Sequence, residues 1–314
     1  MGMFVLSNIL PSIFTLIRPF LKWFLHRFTR LCELQRICYG CSRGAPRNKQ
    51  LEVSLNLSKT PSIKNMIREF DEFVEYCDDK EFDLLPARGI AAIMYAKKIK
   101  PKIHPDFPKL LGKSIQQIWG YRRLLHVVER LREEQYDTEN GRHEQKLLEL
   151  WNLLMPDIPL SARVTKQWQD IGFQGDDPKT DFRGMGILGL DNLLYFVKEY
   201  NTAARHVLLH SMHPVYGYTF AIVGINLTSM AYKLLKSGRA RTHFYNVTTG
   251  PCTLEDFHKF YCYLFFEFDK FWMECEPRNI MEFPIIHQTF EESIIGSLNN
   301  DSTTFKTNFV VEEI

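Results

Sequence analysis

Between Trp168 and Leu193 the chain reads W-Q-D-I-G-F-Q-G-D-D-P-K-T-D-F-R-G-M-G-I-L-G-L-D-N-L, with a single arginine, Arg183, set among glycines and one proline. A guanidinium carries a permanent charge on a planar fork that suits carboxylate and phosphate oxygens. Two fates are open to it. Arg183 could pair with Asp177 or Asp181 and tie the loop down, as isolated arginines commonly do, or it could face outward and meet an anionic group elsewhere. Gly184 to Gly189 also spells G-x-G-x-x-G, but a dinucleotide fingerprint needs a buried strand before its first glycine. Residues 177–183 are polar and contain Pro178, so that reading is set aside.

Positioning such a group needs rigid flanks. Upstream, Leu160, Val164, Trp168 and Ile171 recur at helical intervals and predict a helix ending near Gly172. Downstream, Leu190, Leu193, Leu194 and Val197 predict a second helix beginning around Gly186 to Gly189. Asp176-Asp177-Pro178 and Thr180-Asp181 lie between them, and their short oxygen-bearing side chains suit turns and helix starts.

Trp168, Gly172, Phe173, Gln174, Pro178, Thr180, Asp181, Phe182, Arg183, Gly184, Gly186, Leu190 and Leu193 together resemble, without a gap, the pattern of the ELMO domain proteins, and specifically the short ELMO domain-containing (ELMOD) members. Cys32 to Ile37 extends the likeness beyond the loop. The resemblance implies a GTPase-activating protein for Arf and Arf-like small GTPases. It implies Arg183 as the required residue, supplied in trans to the GTP-hydrolysis transition state. Trp168, Gly172, Phe173, Gln174, Pro178, Thr180, Asp181, Phe182, Gly184 and Gly186 would then position the loop or touch the partner. GTP and magnesium would belong to the partner GTPase, so no cofactor and no independent turnover are expected of this chain. A non-catalytic GTPase- or scaffold-binding module is the competing reading.

The remaining sequence sets the frame. The chain has 314 residues, 45% hydrophobic and 24% charged, enough for a substantial core, and a net charge of +2 gives no global field for nucleic acid. Seven cysteines without regular spacing fit a reducing compartment. The expected location is the cytosol or the cytoplasmic side of endomembranes: endoplasmic reticulum, Golgi, lipid droplet or mitochondria. Residues 3–30 combine an apolar run, interrupted by Pro11 and too short to span a bilayer, with Arg18, Lys22, His26, Arg27 and Arg30 among Phe20, Leu21, Trp23, Phe24, Leu25 and Phe28. That composition suits a membrane interface, and equally an amphipathic helix packed on the rest of the protein.

Ser42 to Lys49 reads as a linker, and prolines at 101, 105 and 108 place a break near residue 110. Helical spacing then runs through Ile115 to Leu131, His143 to Leu154, Phe220 to Leu235, and an aromatic stripe from Phe257 to Trp272. Cys38 and Cys41 lack a second pair at zinc spacing. His206 and His210 are four apart but have no accompanying H-E-x-x-H glutamate, so no metal is expected. The expected architecture is all-α: an amphipathic segment over 1–30, a helical extension over 31–114, a multi-helix ELMO-type domain over 115–298, and a flexible tail over 299–314.

Overall fold

A computed structural model describes residues 17–310, so the apolar run over residues 3–16 lies outside the described residues. The chain is all-α, with no strand among the described residues. Its helices are α1 (residues 17–29), α2 (Glu33–Gly40), α3 (Ala45–Asn56), α4 (Pro61–Tyr76), α5 (Asp79–Phe82), α6 (Leu85–Lys97), α7 (Asp106–Glu133), α8 (Gly141–Leu154), α9 (Gly186–Glu199), α10 (Asn201–Ser211), α11 (Phe220–Lys236), α12 (Arg241–Val247), α13 (Leu254–Cys275) and α14 (Phe283–Leu298). They divide into two compact units, one up to Trp119 and one from Gly120 onward.

In the first unit the apolar face of α4, Ile63, Met66, Phe70 and Val74, is buried, as its spacing predicts. Phe70 meets Trp119 edge-on, and the Trp119 indole donates to Asp71 at 3.0 Å. The expected linker over 42–49 is a short turn followed by α3, because Pro46 sits in the first turn, where its missing amide costs nothing. The same tolerance lets α7 start at Asp106 and run through Pro108, although the prolines at 101, 105 and 108 predict a break there.

The second unit is built around α9. Apart from Asp191, Tyr195, Lys198 and Glu199, its residues are buried, and α8, α10, α11 and α13 pack around it. Gly224 of α11 lets the helices close in, since a Cβ there would lie 2.5 Å from Leu193 and 2.9 Å from Phe265. Asn192, at the centre, donates to Thr228 at 3.1 Å and accepts from the His258 ring at 2.6 Å. Phe257, Tyr261, Phe265, Phe268 and Trp272 form the inner face of α13, so the aromatic stripe is core.

Residues 299–310, expected to be loose, are held at several points. Phe305 stacks on Tyr263 and on His243, and its amide donates to the His243 ring at 3.1 Å. Thr307 bonds Tyr200 at 2.8 Å, and Phe309 packs against Phe266. Polarity averaged over the segment hides these two aromatic anchors.

Burial pushes His258 down to about 4 and His243 down to about 3, so both are neutral in the folded protein at neutral pH. The unfolded chain takes up their protons near pH 6.5, and the folded chain does so only far below it. Their contribution is therefore intact above about pH 6.5 and is lost as pH falls toward 4. In urea titrations between pH 7 and 5 the wild type is expected to weaken steadily. His258→Gln should show a smaller slope, the difference growing as pH falls and approaching about 1.4 kcal/mol per pH unit, one proton's worth, only between about pH 6 and 5. Equal slopes would show that His258 is not the proton-binding group.

Candidate functional site

The stretch leading to Arg183 is not the helix its periodicity suggests. Only Lys166–Ile171 is helical, as a 3₁₀ turn, with the Thr165 hydroxyl accepting from the Gln167 amide. Leu160 is partly exposed and Val164 is exposed, so two of the four residues on the expected stripe do not face the core. Residues 160–165 wrap instead: the Thr165 amide donates to the Asp176 carbonyl at 2.9 Å and the Trp168 indole to the Arg163 carbonyl at 2.9 Å. Gly172 then reverses the chain at φ +84°. A second 3₁₀ turn, Pro178–Gly184, is capped by Asp177, which accepts from the Lys179 amide, and Gly186 at φ +53° starts α9, as expected.

An aromatic ladder fixes these turns. Trp151 meets Trp168 edge-on at 5.4 Å, Trp168 meets Phe173 at 5.9 Å, Phe173 meets Phe182 at 5.6 Å, and Phe182 stacks on Tyr136 at 5.5 Å. Trp168, Phe173 and Phe182 are buried, as are Gly172, Pro178 and Gly186. The two buried glycines with positive φ are required by close backbone approach. A Cβ on Gly172 would lie 2.3 Å from the Phe220 amide nitrogen, and one on Gly186 would lie 2.4 Å from the carbonyl oxygens of Arg132 and Glu134. The G-x-G-x-x-G glycine at 186 thus makes room for protein backbone, and the following Ile187 amide is taken by the Glu134 carbonyl at 2.8 Å.

The arginine that ties the loop down is Arg163. It donates to Asp177 at 3.0 Å and to Glu144, and lies over the Tyr136 ring at 5.9 Å; Tyr136 in turn donates to Glu144 at 2.7 Å. Burial works against the Arg163 charge, but Glu144 and Asp177 hold it firmly protonated. Burial and Glu144 likewise push the Tyr136 hydroxyl upward. No sequence signal pointed to Arg163, Tyr136 or Glu144, because the last two lie on α8 and the turn before it, well separated along the chain.

Arg183, with Asp177 occupied, has no ion pair among the described residues. Its side chain is exposed, and its Nε donates to the Thr180 carbonyl at 3.1 Å. Around it Gln174, Thr180 and Gly184 are exposed and Asp181 is half-buried. Asp181 accepts from the Gln174 amide at 2.9 Å, joining the two turns. Burial raises its carboxyl, against the lowering effects of that amide and of Arg183. The ten expected support residues therefore separate into a buried brace (Trp168, Gly172, Phe173, Pro178, Phe182 and Gly186) and a rim beside the guanidinium (Gln174, Thr180, Asp181 and Gly184). Residues 166–186 contain no histidine or cysteine. What the surface offers chemically is a guanidinium outside any ion pair among the described residues, on a braced turn that also exposes Lys166 and Lys179, the latter 3.8 Å from Asp177.

A model of the ELMO/CED-12 family matches residues 126–287. The chain is similar to ELMO domain-containing protein 2 of Mus musculus, 48% identical over 294 residues, covering 92% of this chain and 95% of the relative. It is 44% identical to ELMO domain-containing protein 1 of Mus musculus over 310 residues, covering 93% and 91%. ELMO domain-containing protein B of Dictyostelium discoideum is 35% identical over 283 residues, covering 89% and 94%.

Proposed function

The chain belongs to the ELMO/CED-12 family, and from that premise we propose that it is a GTPase-activating protein for Arf and Arf-like small GTPases, presenting Arg183 in trans to the partner's nucleotide. The observation that carries this reading is the exposed guanidinium on a braced 3₁₀ turn, relieved of structural duty because Arg163 serves Asp177. Hydrolysis of GTP spreads negative charge over the transferred phosphoryl group, and a guanidinium placed there lowers the barrier without itself being consumed. GTP and Mg²⁺ are the partner's. Stiffness matters because a group already oriented gives up less freedom on docking.

Single-turnover GTP hydrolysis across a panel of Arf and Arf-like GTPases, with and without this protein, tests the proposal. A member whose hydrolysis accelerates with saturable dependence on this protein supports it. Saturable binding of the GTP-bound form with unchanged hydrolysis would make the loop a docking surface.

A membrane role for the N-terminal segment is favoured by a separate observation. On α1, Phe20 and Trp23 are each 63% exposed and Phe28 is 72% exposed, while Arg18 and Lys22 turn to Glu33 at 3.0 and 2.5 Å. The exposed aromatics, with Arg27 and Arg30 also exposed, suit an anionic lipid interface. No helix among the described residues is long and apolar enough to cross a membrane. Sedimentation with anionic liposomes is expected to carry the protein down, and Trp23→Ser with Phe28→Ser should reduce the bound fraction severalfold. Unchanged sedimentation would remove α1 from membrane contact.

A further inference from the structure

We propose that His206, His210 and Asp269 form a binding site for a divalent cation of the zinc class. The sequence offers His206 and His210 four residues apart with no carboxylate nearby, and the fold supplies one from α13, fifty-nine residues further on. The two imidazoles share one face of α10, with ring centroids 4.1 Å apart. Asp269 is only 1% exposed, and its Oδ2 lies 2.7 Å from His210 Nδ1. One donor atom from each of the three residues lies within 4.8 Å of the others. Donors around a tetrahedral zinc at its usual bond lengths stand about 3.3 Å apart. A bound ion would therefore open the 2.7 Å hydrogen bond between His210 and Asp269, displacing its proton, and draw His206 inward, both by turning half-exposed rings on their side-chain bonds.

The donor set selects the ion. Two imidazole nitrogens and one carboxylate form the ligand set of open zinc sites, leaving a fourth position for water. Magnesium and calcium want oxygen throughout. The carboxylate is also held as outer-layer groups hold metal ligands: the buried Tyr218 hydroxyl donates to the other Asp269 oxygen at 2.6 Å. A bound cation would neutralise a carboxylate already out of water and would join α10 to α13.

The test uses the full chain after chelator treatment, followed by thermal unfolding with added Zn²⁺ and by absorption with added Co²⁺. Zn²⁺ is expected to raise Tm saturably at one equivalent, and Mg²⁺ to leave it unchanged. His206→Ala, a change on a half-exposed helix face, should abolish the Zn²⁺-dependent shift, and Tyr218→Phe should weaken binding by about 10–100-fold. The cobalt spectrum should show nitrogen and oxygen ligation without thiolate charge transfer. An equal Zn²⁺ shift in His206→Ala, a thiolate band pointing to the cysteines, or no shift in the wild type would each overturn the site.

Discussion

Arg183→Lys is expected to lower stimulated GTP hydrolysis by about 10³–10⁵-fold at saturating protein, with stability and GTPase binding little changed. Lysine keeps the positive charge but loses the planar fork that can address two phosphoryl oxygens at once, so it separates geometry from charge. The expected loss corresponds to roughly 4–7 kcal/mol of barrier, far above what surface charge alone supplies. Stability should hold within about 0.5 kcal/mol, because the side chain is exposed and its one hydrogen bond runs to the carbonyl of Thr180. Wild-type stimulation by the variant in single-turnover assays would overturn the catalytic role proposed for Arg183. Lost binding alongside lost stimulation would make it a docking residue instead.

Gly172→Ala should cost about 3–5 kcal/mol of folding stability, the combined effect of left-handed backbone strain and overpacking. The residue sits at φ +84°, and an added Cβ would come within 2.3 Å of the Phe220 amide nitrogen, 2.7 Å of the Thr219 carbonyl carbon and 2.9 Å of the Ala221 nitrogen. All three are backbone atoms at the start of α11, so no rotamer change relieves the clash. Moving them would break the bond from the Ile222 amide to the Gly172 carbonyl and shift Phe173 in the aromatic ladder. Gly184→Ala is the matched control, since a Cβ there has nothing within 4 Å and the backbone is not left-handed. Urea midpoints should differ sharply between the two variants. Similar midpoints would show that the loop yields at Gly172 rather than being braced there.

The contrast between Arg163 and Arg183 shows what the loop's sequence conveyed and what it hid. Reading along the chain, the nearest carboxylates to Arg183 are Asp181 and Asp177, and local pairing is the natural inference. In space Asp177 caps a 3₁₀ turn and faces Arg163, which approaches from the other side with Glu144 and Tyr136 behind it. A similar failure of proximity set aside His206 and His210, whose carboxylate comes from another helix. Helical spacing also misled at Leu160 to Ile171, because intervals of four and three arise in any chain that buries some residues while winding through turns.

By itself the sequence determined the all-α class, most of the long helices, the start of α9, the core role of the α13 aromatics and the motif around Arg183. Each of these depends on residues within one or two turns of each other, where periodicity and backbone preference act directly. Tertiary structure alone decided that Arg183 stands exposed, that Gly172 and Gly186 face foreign backbone, that Phe305 and Phe309 anchor the tail, and that Asp269 meets His210 beside His206. Those outcomes depend on which distant groups the packed helices bring together, and a carboxylate or an aromatic ring carries no mark of its partner until the core has closed around it.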